Sequence, residues 1–524
     1  MASETIAPPA RPSTQPHTGH PRGLYTLFLT EMWERFSYYG MRALLTLFMV
    51  APVASGGLGY DTKRAGLVYG TYTMSVYMLS IPGGFIADNF IGSRISVLYG
   101  GIVIALGHFT LALHAETAFY AGLVLIAFGT GLLKPNISTM VGGLYASGDE
   151  RRDAGFSIFY MGINLGAFSA PLVTGWLAQS PAFKNSLAAW GFDPLHSWHW
   201  GFAAAGVGMT IGLVVYLRSG ARLAQVGHAP AREIPRPWGK LGLVLLGAGA
   251  LFGYARLSDT NPKFEWLRYG YVALPLAAIL WFGLRGNSDS KRIAAVMVFS
   301  LAALIFWAIF EQAGSTISLF ADQLTDRTLP HSGDFNLLGW KLRFGSPFPS
   351  AWFQSVNSLW VILLAPVFAW LWVRLGARQP SAPIKFVLGL VCLALSYLLM
   401  VPAAKLTVTH TVSPLWIVVL FFLQSVGELC LSPVGLSTMT KIAPPKLMGL
   451  VMGIWFLAAA LGNKLAGVFG GEFTSTDGNK LSRFFLYQAL WVLAATLLLL
   501  VCVPWVKRLM AQGRNEELPN HDAA

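Results

Sequence analysis

Fourteen apolar runs, each close to the length that crosses a bilayer, divide this chain, and nothing constrains its folding as strongly. A helix needs about 20 mostly apolar residues to span the hydrocarbon core. In lipid the backbone N–H and C=O groups of a span must be satisfied internally, so separate runs of this length read as helices. They fall at 24–50, 63–88, 94–114, 117–140, 153–178, 200–219 and 238–257, then at 266–285, 293–320, 351–376, 383–401, 413–440, 448–470 and 483–508. Composition agrees, since 54% of the 524 residues are apolar and 12% are charged. That leaves too few charges to coat several water-soluble domains. The expected fold class is an all-α polytopic membrane protein with 14 transmembrane helices.

An even number of spans puts both termini on one side of the membrane, and the basic residues indicate which side. With cytoplasmic termini, 21 of the 37 Lys and Arg residues fall in cytoplasmic segments. The formal charge of +13 then divides into +11 inside, +2 outside and zero within the spans. This basicity sets orientation. It implies no nucleic-acid partner, because the charges lie between apolar runs rather than on the face of a soluble core. The N-terminal stretch lacks the charged start and short apolar core of a signal peptide, so the first run is expected to be a retained helix. Cys392, Cys430 and Cys502 lie inside apolar runs and read as packed thiols, and no Cys/His cluster has metal-ligand spacing.

The chain divides into a disordered tail at 1–23, six spans over 24–219, a linker with two spans over 220–292, six spans over 293–508, and a tail at 509–524. The middle pair reads as an accessory hairpin without a buried ionisable residue. Two six-helix bundles suit a transporter whose site lies near the midplane between them.

Eight ionisable residues interrupt the spans: Glu31, Glu34, Arg35, Arg42, Lys134, Glu311, Glu428 and Lys464. Each charge at the bilayer centre costs at least about 2.5–3.5 kcal/mol, so such groups pair or serve function. In the first span Glu31, Glu34, Arg35, Tyr38 and Arg42 lie within about 60° of one direction on a helix, with Tyr39 at the margin. Glu34 beside Arg35 should ionise readily, whereas a desolvated Glu31 could hold a proton. Lys134 precedes Pro135, which loosens the helix, and needs a carboxylate or an anionic ligand unless it snorkels. Glu311 follows Trp307 by one turn, and Glu428 follows Gln424. Lys464, beside Asn463 and no charged neighbour, fits snorkelling equally well. Tyr77, His108, Asn164, Gln354, Asn357 and Trp455 could each be ordinary interhelical contacts.

Several stretches resemble one known family. Glu31 to Gly40 matches the ExxERFxYYG signature of the proton-dependent oligopeptide transporters, a branch of the major facilitator superfamily. Phe159 to Gly166 is similar to that family's FYxxINxG signature, and Gly84 to Arg94 to the superfamily's loop between helices 2 and 3. Gly129 to Asn136 and Gly427 to Pro433 also look like family segments. The resemblance spans about 24–508. It implies the major facilitator fold, with two six-helix bundles plus an accessory two-helix hairpin of the bacterial kind, and a bacterial inner-membrane location.

By position, the resemblance implies that Arg35 and Lys134, with Tyr38 and Tyr39, hold a peptide's carboxylate. Glu428 would receive its amino terminus, with Asn164 and Asn357 assisting, while Tyr77, Trp307 and Trp455 shape the side-chain space. Glu31, Glu34 and Glu311 look like the proton-coupling set, Arg42–Glu311 like an outer gate pair, and Lys134–Glu428 like a cross-bundle pair. Where many relatives carry two adjacent acids, Phe310 leaves Glu311 alone. The expected function is a proton-coupled symporter of di- and tripeptides, acting as a monomer among membrane lipids, with protons as coupling ion, no other cofactor and no enzymatic activity. The alternative is a proton-coupled transporter of nitrate or another small organic anion on the same fold.

Overall fold

The structure, a computed structural model, describes residues 19–146, 148–231, 235–285, 288–328, 334–337, 340–343, 347–443 and 447–516. Most of the expected tails, 1–18 and 517–524, lie outside the described residues. Over the described residues, twelve helices are long and apolar enough to cross a membrane, compared with fourteen runs in the sequence. The first two runs make the difference. α1 (Arg22–Val50) carries the charged stripe. The second run breaks into α2 (Thr62–Met78) and α3 (Ser80–Ile86), then a wide turn at Ala87–Ile91. Gly92 ends it at φ 81°, a conformation that glycine adopts without strain.

Next come α4 (Ser93–Leu111), α5 (Glu116–Gly143), α6 (Arg151–Gln179), a short α7 (Pro181–Ala189) and α8 (Ser197–Arg218). α1 packs against α6 and α8, and α4 against α5. α9 (Trp238–Thr260), a 3-10 turn at Pro262–Tyr269 and α10 (Gly270–Leu284) follow. α11 (Ser288–Phe310) changes to a 3-10 turn at Glu311–Gly314 before α12 (Thr316–Gln323). The remaining helices are α13 (Gln354–Leu375), α14 (Ala382–Leu406), α15 (Leu415–Ile442), α16 (Met448–Gly470) and α17 (Gly478–Glu516). α14 packs on α15 and α17, and α11 on α16.

The fold is helical as expected, with an antiparallel ribbon of β1 (Asp334–Leu337) and β2 (Trp340–Arg343) in the connection between α12 and α13. Three sequence expectations need correction. The middle pair does not stack along its length. Tyr254 and Tyr271 meet edge to face at 5.5 Å near the turn, but α9 then lies on α2 and α3 whereas α10 lies on α11. That pair also carries a buried acid, Asp259, because α9 runs on past the expected end at 257. Finally, α17 continues through 509–516, which the sequence reading assigned to a tail.

Helices before residue 219 meet those after 288 at one end, where α1 ends and α2 begins. Thr46 Oγ1 donates to Gly314 O at 2.7 Å, Ser355 Oγ to Phe168 O at 2.7 Å and Trp352 Nε1 to Leu172 O at 3.0 Å. α2 and α16 approach backbone to backbone: a Cβ on Gly70 would lie 2.7 Å from Lys464 O, and one on Gly66 2.6 Å from Gly471 N. Only glycine fits such a seam.

Candidate functional site

The intramembrane charges form two buried clusters along α1. In the first, Arg35 Nε lies 2.7 Å from Glu31 Oε1 and 2.8 Å from Glu34 Oε2. The i, i+4 spacing stacks Glu31 under Arg35, and Glu34 flanks it. Two carboxylates thus share one guanidinium. Glu34 is fully buried; beyond the ion pair of its Oε2 with Arg35, its Oε1, like Glu31 Oε2, has no hydrogen-bond partner among the described residues. Orphaned carboxylate oxygens away from water are costly unless a proton or cation satisfies them.

In the second cluster, two turns along α1, Arg42 pairs with Glu311 on the turn after α11. Both side chains are more than nine-tenths buried. Arg42 Nε also donates to Tyr69 Oη at 2.9 Å, and Tyr69 donates onward to Glu311 O at 3.0 Å. Tyr69 is a site residue that sequence reasoning missed. It lies in the middle of α2 without a motif around it, and it faces partners from two other elements. Tyr160, inside the second signature, was also passed over; its hydroxyl lies within electrostatic range of Tyr39 and Glu428.

Lys134 is held differently. Pro135 lies inside a continuous α5, and α3 and α5 approach so closely that a Cβ on Gly83 would collide with Gly131. Asn136 Nδ2 donates to Gly83 O at 3.4 Å across this contact. Lys134 Nζ thereby sits 3.8 Å from the ring centroid of Tyr77, a cation–π distance. Among the described residues it makes no ion pair, so the expected Lys134–Glu428 bridge is not closed in this conformation. The fields of Arg35, Glu34, Glu31 and Glu311 all act on it.

Glu428 lies on α15, with Asn357 Nδ2 of α13 at 3.5 Å from its Oε2 and 2.9 Å from Ser425 Oγ. Tyr39 connects the groups, standing within electrostatic range of Arg35, Arg42, Glu311 and Glu428. Its ring meets that of Tyr38 edge to face at 5.2 Å, and the Arg42 guanidinium lies 5.7 Å from its centroid.

Burial sorts these residues. Glu31, Glu34, Arg35, Arg42 and Glu311 are buried, whereas Tyr39, Tyr77, Lys134, Trp307, Asn357 and Glu428 keep accessible surface deep within their helices. Asn164 is nearly buried and donates its amide to Tyr160 O at 3.0 Å. Trp455 packs against Phe386, ring centroids 6.3 Å apart, and against Gly435, so this tryptophan is tucked between helices.

Of the two readings left open for Lys464, snorkelling is excluded. Its ammonium is fully enclosed, pairs with Asp259 of α9 and donates to Thr71 Oγ1 of α2 at 2.8 Å. The sequence offered no signal for this, since the partner lies 205 residues away beyond the expected end of its helix.

A family model described as the POT family matches residues 94–483. The peptide transporter YePEPT of Yersinia enterocolitica is 39% identical over 95% of this chain and 97% of its own length. A di-/tripeptide transporter of Lactococcus lactis is 35% identical over 84% of this chain and 87% of its own. Among solved structures, a mutant of peptide transporter POT in complex with alafosfalin has a TM-score of 0.78 at 37% identity, covering 95% of this chain and 97% of that one. A POT family transporter in complex with 5-aminolevulinic acid has a TM-score of 0.75 at 32% identity, covering 94% and 98%.

Proposed function

The chain belongs to the POT family, and from that premise we propose that it imports di- and tripeptides with protons by alternating access. The observation that carries this reading is the sorting of its intramembrane charges. Accessible Lys134 and accessible Glu428 belong to helices on opposite sides of the seam, and Tyr39 lies near both Arg35 and Glu428. A zwitterionic peptide offers one anion and one cation at nearly fixed separation. Arg35 and Lys134 would take its carboxylate. Glu428 would take its ammonium, with Asn357 and Asn164 lending hydrogen bonds. Tyr38, Tyr39, Tyr77 and Trp307 would supply apolar faces that tolerate varied side chains, and Trp455 would support them from behind. An anion-only pocket has little use for Glu428, which disfavours nitrate.

Proton coupling follows from two carboxylates sharing one guanidinium. A proton on Glu34, the more completely buried of the two, removes the surplus negative charge. Arg35 then becomes available to the substrate carboxylate. Glu311 would complete the proton set, because its protonation weakens the Arg42 pair and with it the closed end. The wider reading treats 24–219 and 293–508 as two rocking six-helix bundles, with α1 and α2–α3 completing fourteen spans and 220–292 as an accessory segment. The termini at 1–23 and 509–524 would face the cytoplasm of a bacterial inner membrane, and the unit would be a monomer needing no cofactor beyond protons.

A substrate panel tests this function. In proteoliposomes, an unlabelled dipeptide should compete with labelled dipeptide uptake, whereas a free amino acid and nitrate should not. Competition by nitrate but not by dipeptide would replace the reading with the anion alternative.

A further inference from the structure

Lys464 belongs to neither cluster assigned above, yet no part of its side chain is exposed. Three elements converge on its ammonium: α16, which bears it, α9 through Asp259, and α2 through Thr71. Thr71 Oγ1 in turn donates to Leu67 O at 2.8 Å, which orients its lone pairs toward the lysine. Arg268 Nη2, from the turn between α9 and α10, lies 3.8 Å from the other Asp259 oxygen. The group sits directly over the glycine seam, where the backbone carbonyl of Lys464 itself faces Gly70. That seam is made of small residues, and apart from neutral hydrogen bonds such as Thr62 Oγ1 to Gly471 O at 3.4 Å and Phe473 O at 3.3 Å, the Asp259–Lys464 pair is the ion pair that closes it among the described residues.

α9 touches the first set of helices near its start and again around Ala255. Trp238 meets Phe90 edge to face at 4.6 Å, Arg236 Nη1 just before α9 donates to Asn89 O at 3.1 Å, and Ala255 packs with Met74 and Met78 of α2 and with Ala460 of α16. α16 belongs to the second set. Asp259 therefore stands on one side of the seam and Lys464 on the other, as two ends of a clasp.

We propose that Asp259 and Lys464 are a latch on the α2–α16 seam, with α9 as its strap, and that the pair parts each time this end opens. The proposal rests on the alternating-access reading above. It makes α9 part of the gate rather than a passive addition. A buried charge stranded without its partner is strongly unfavourable, whereas removing both charges together is nearly neutral. Asp259→Asn should therefore drive the seam open, because opening lets the lone ammonium reach water. Adding Lys464→Met should close it again.

The test uses spin-label distance measurements on the full chain in proteoliposomes, with Cys392, Cys430 and Cys502 replaced by Ala. Labels at exposed Lys63 and Glu472 report the seam, and a label at exposed Thr260 reports α9. Asp259→Asn is expected to raise the separated population on the order of tenfold to a hundredfold, and the double variant to reverse most of that rise. An unchanged 63–472 distribution in Asp259→Asn overturns the latch.

A second arm leaves the pair intact, so it does not depend on the folding of a variant. When dipeptide and a pH gradient move the seam, 63–472 and 260–472 should lengthen together while 63–260 stays fixed. A constant 260–472 distance with a lengthening 63–472 overturns the latch, since α9 would then travel with α16. A seam that never separates during transport overturns it as well. Dipeptide uptake measured in the same vesicles separates the two claims. A seam that opens as described without peptide uptake counts against the substrate assignment and leaves the latch standing.

Discussion

Glu311→Gln strands Arg42 inside the closed end. Wild-type Arg42 and Glu311 are 7% and 6% exposed, so their attraction acts with little help from water. Removing one partner of such a pair costs about 3–5 kcal/mol. The lower figure applies here, because the glutamine oxygen still accepts from Arg42, and Tyr69 keeps its bonds at 2.9 and 3.0 Å to Arg42 Nε and the residue 311 carbonyl. At about 1.4 kcal/mol per factor of ten, roughly 3 kcal/mol shifts the closed-to-open ratio at this end on the order of a hundredfold. The variant also lacks a protonatable group at this position. It should lose uphill dipeptide accumulation driven by a pH gradient while keeping counterflow, which needs binding and rocking but no net proton movement. Both are measured in the same proteoliposomes. Tyr69→Phe is the control, since it removes one charge-assisted hydrogen bond from Arg42, worth about 1.5–3 kcal/mol, and one neutral bond to the residue 311 carbonyl, worth about 1 kcal/mol, and leaves the ion pair. Full-rate accumulation by Glu311→Gln would refute the reasoning, as would loss of counterflow alongside accumulation.

Further predictions use other parts of the structure. Glu428→Gln should weaken dipeptide competition about tenfold to a hundredfold, the scale of a lost charge-assisted hydrogen bond, while a peptide lacking its amino group should be little affected; equal loss for both peptides would remove Glu428 from ammonium binding. Gly467→Ala places a methyl against Gly66 O and Gly70, and should lower thermal stability in detergent by about 1–3 kcal/mol. Gly247→Ala on α9, with open space around it, should instead stabilise by about 0.5–1 kcal/mol through helix propensity; equal effects at the two sites would contradict the seam. In the loop between α5 and α6, hydrogen bonds from Arg151 pull the Asp149 carboxyl down to about 2. Its folded value is depressed, so its contribution is present above the ordinary carboxylate range near 3.8 and is lost as pH falls through 2. Hydrogen exchange in this loop should therefore stay constant from neutral pH down to about 5, after correction for intrinsic rates; a break between 5 and 7 would contradict the assignment.

Much of this architecture can be read from the chain because lipid makes two features conspicuous. Apolar runs mark the spans, and charges within them stand out by their cost, so Arg35 with Glu31 and Glu34 was foreseeable as a group on one helical stripe, whereas the Arg42–Glu311 pair followed from the family resemblance alone. Partners that come together only in three dimensions were hidden. Tyr69 is an unremarked tyrosine until α2 crosses Arg42, and Lys464 lacked a charged neighbour until α9 was seen to extend to Thr260. The separation of α9 from α10 was also invisible, since two adjacent apolar runs joined by a turn most simply imply a hairpin. Lys134 and Glu428 were expected to bridge, but the structure places the lysine on the Tyr77 ring and leaves both with accessible surface. Whether two opposite charges touch depends on conformation, which sequence does not encode one state at a time.

The most direct measurement of the central claim is accumulation of a labelled dipeptide in proteoliposomes with an acidic exterior and neutral lumen. The account predicts accumulation above the external concentration, abolished by a protonophore and absent when the pH gradient is omitted. Uptake that merely equilibrates, unaffected by gradient or protonophore, would contradict it.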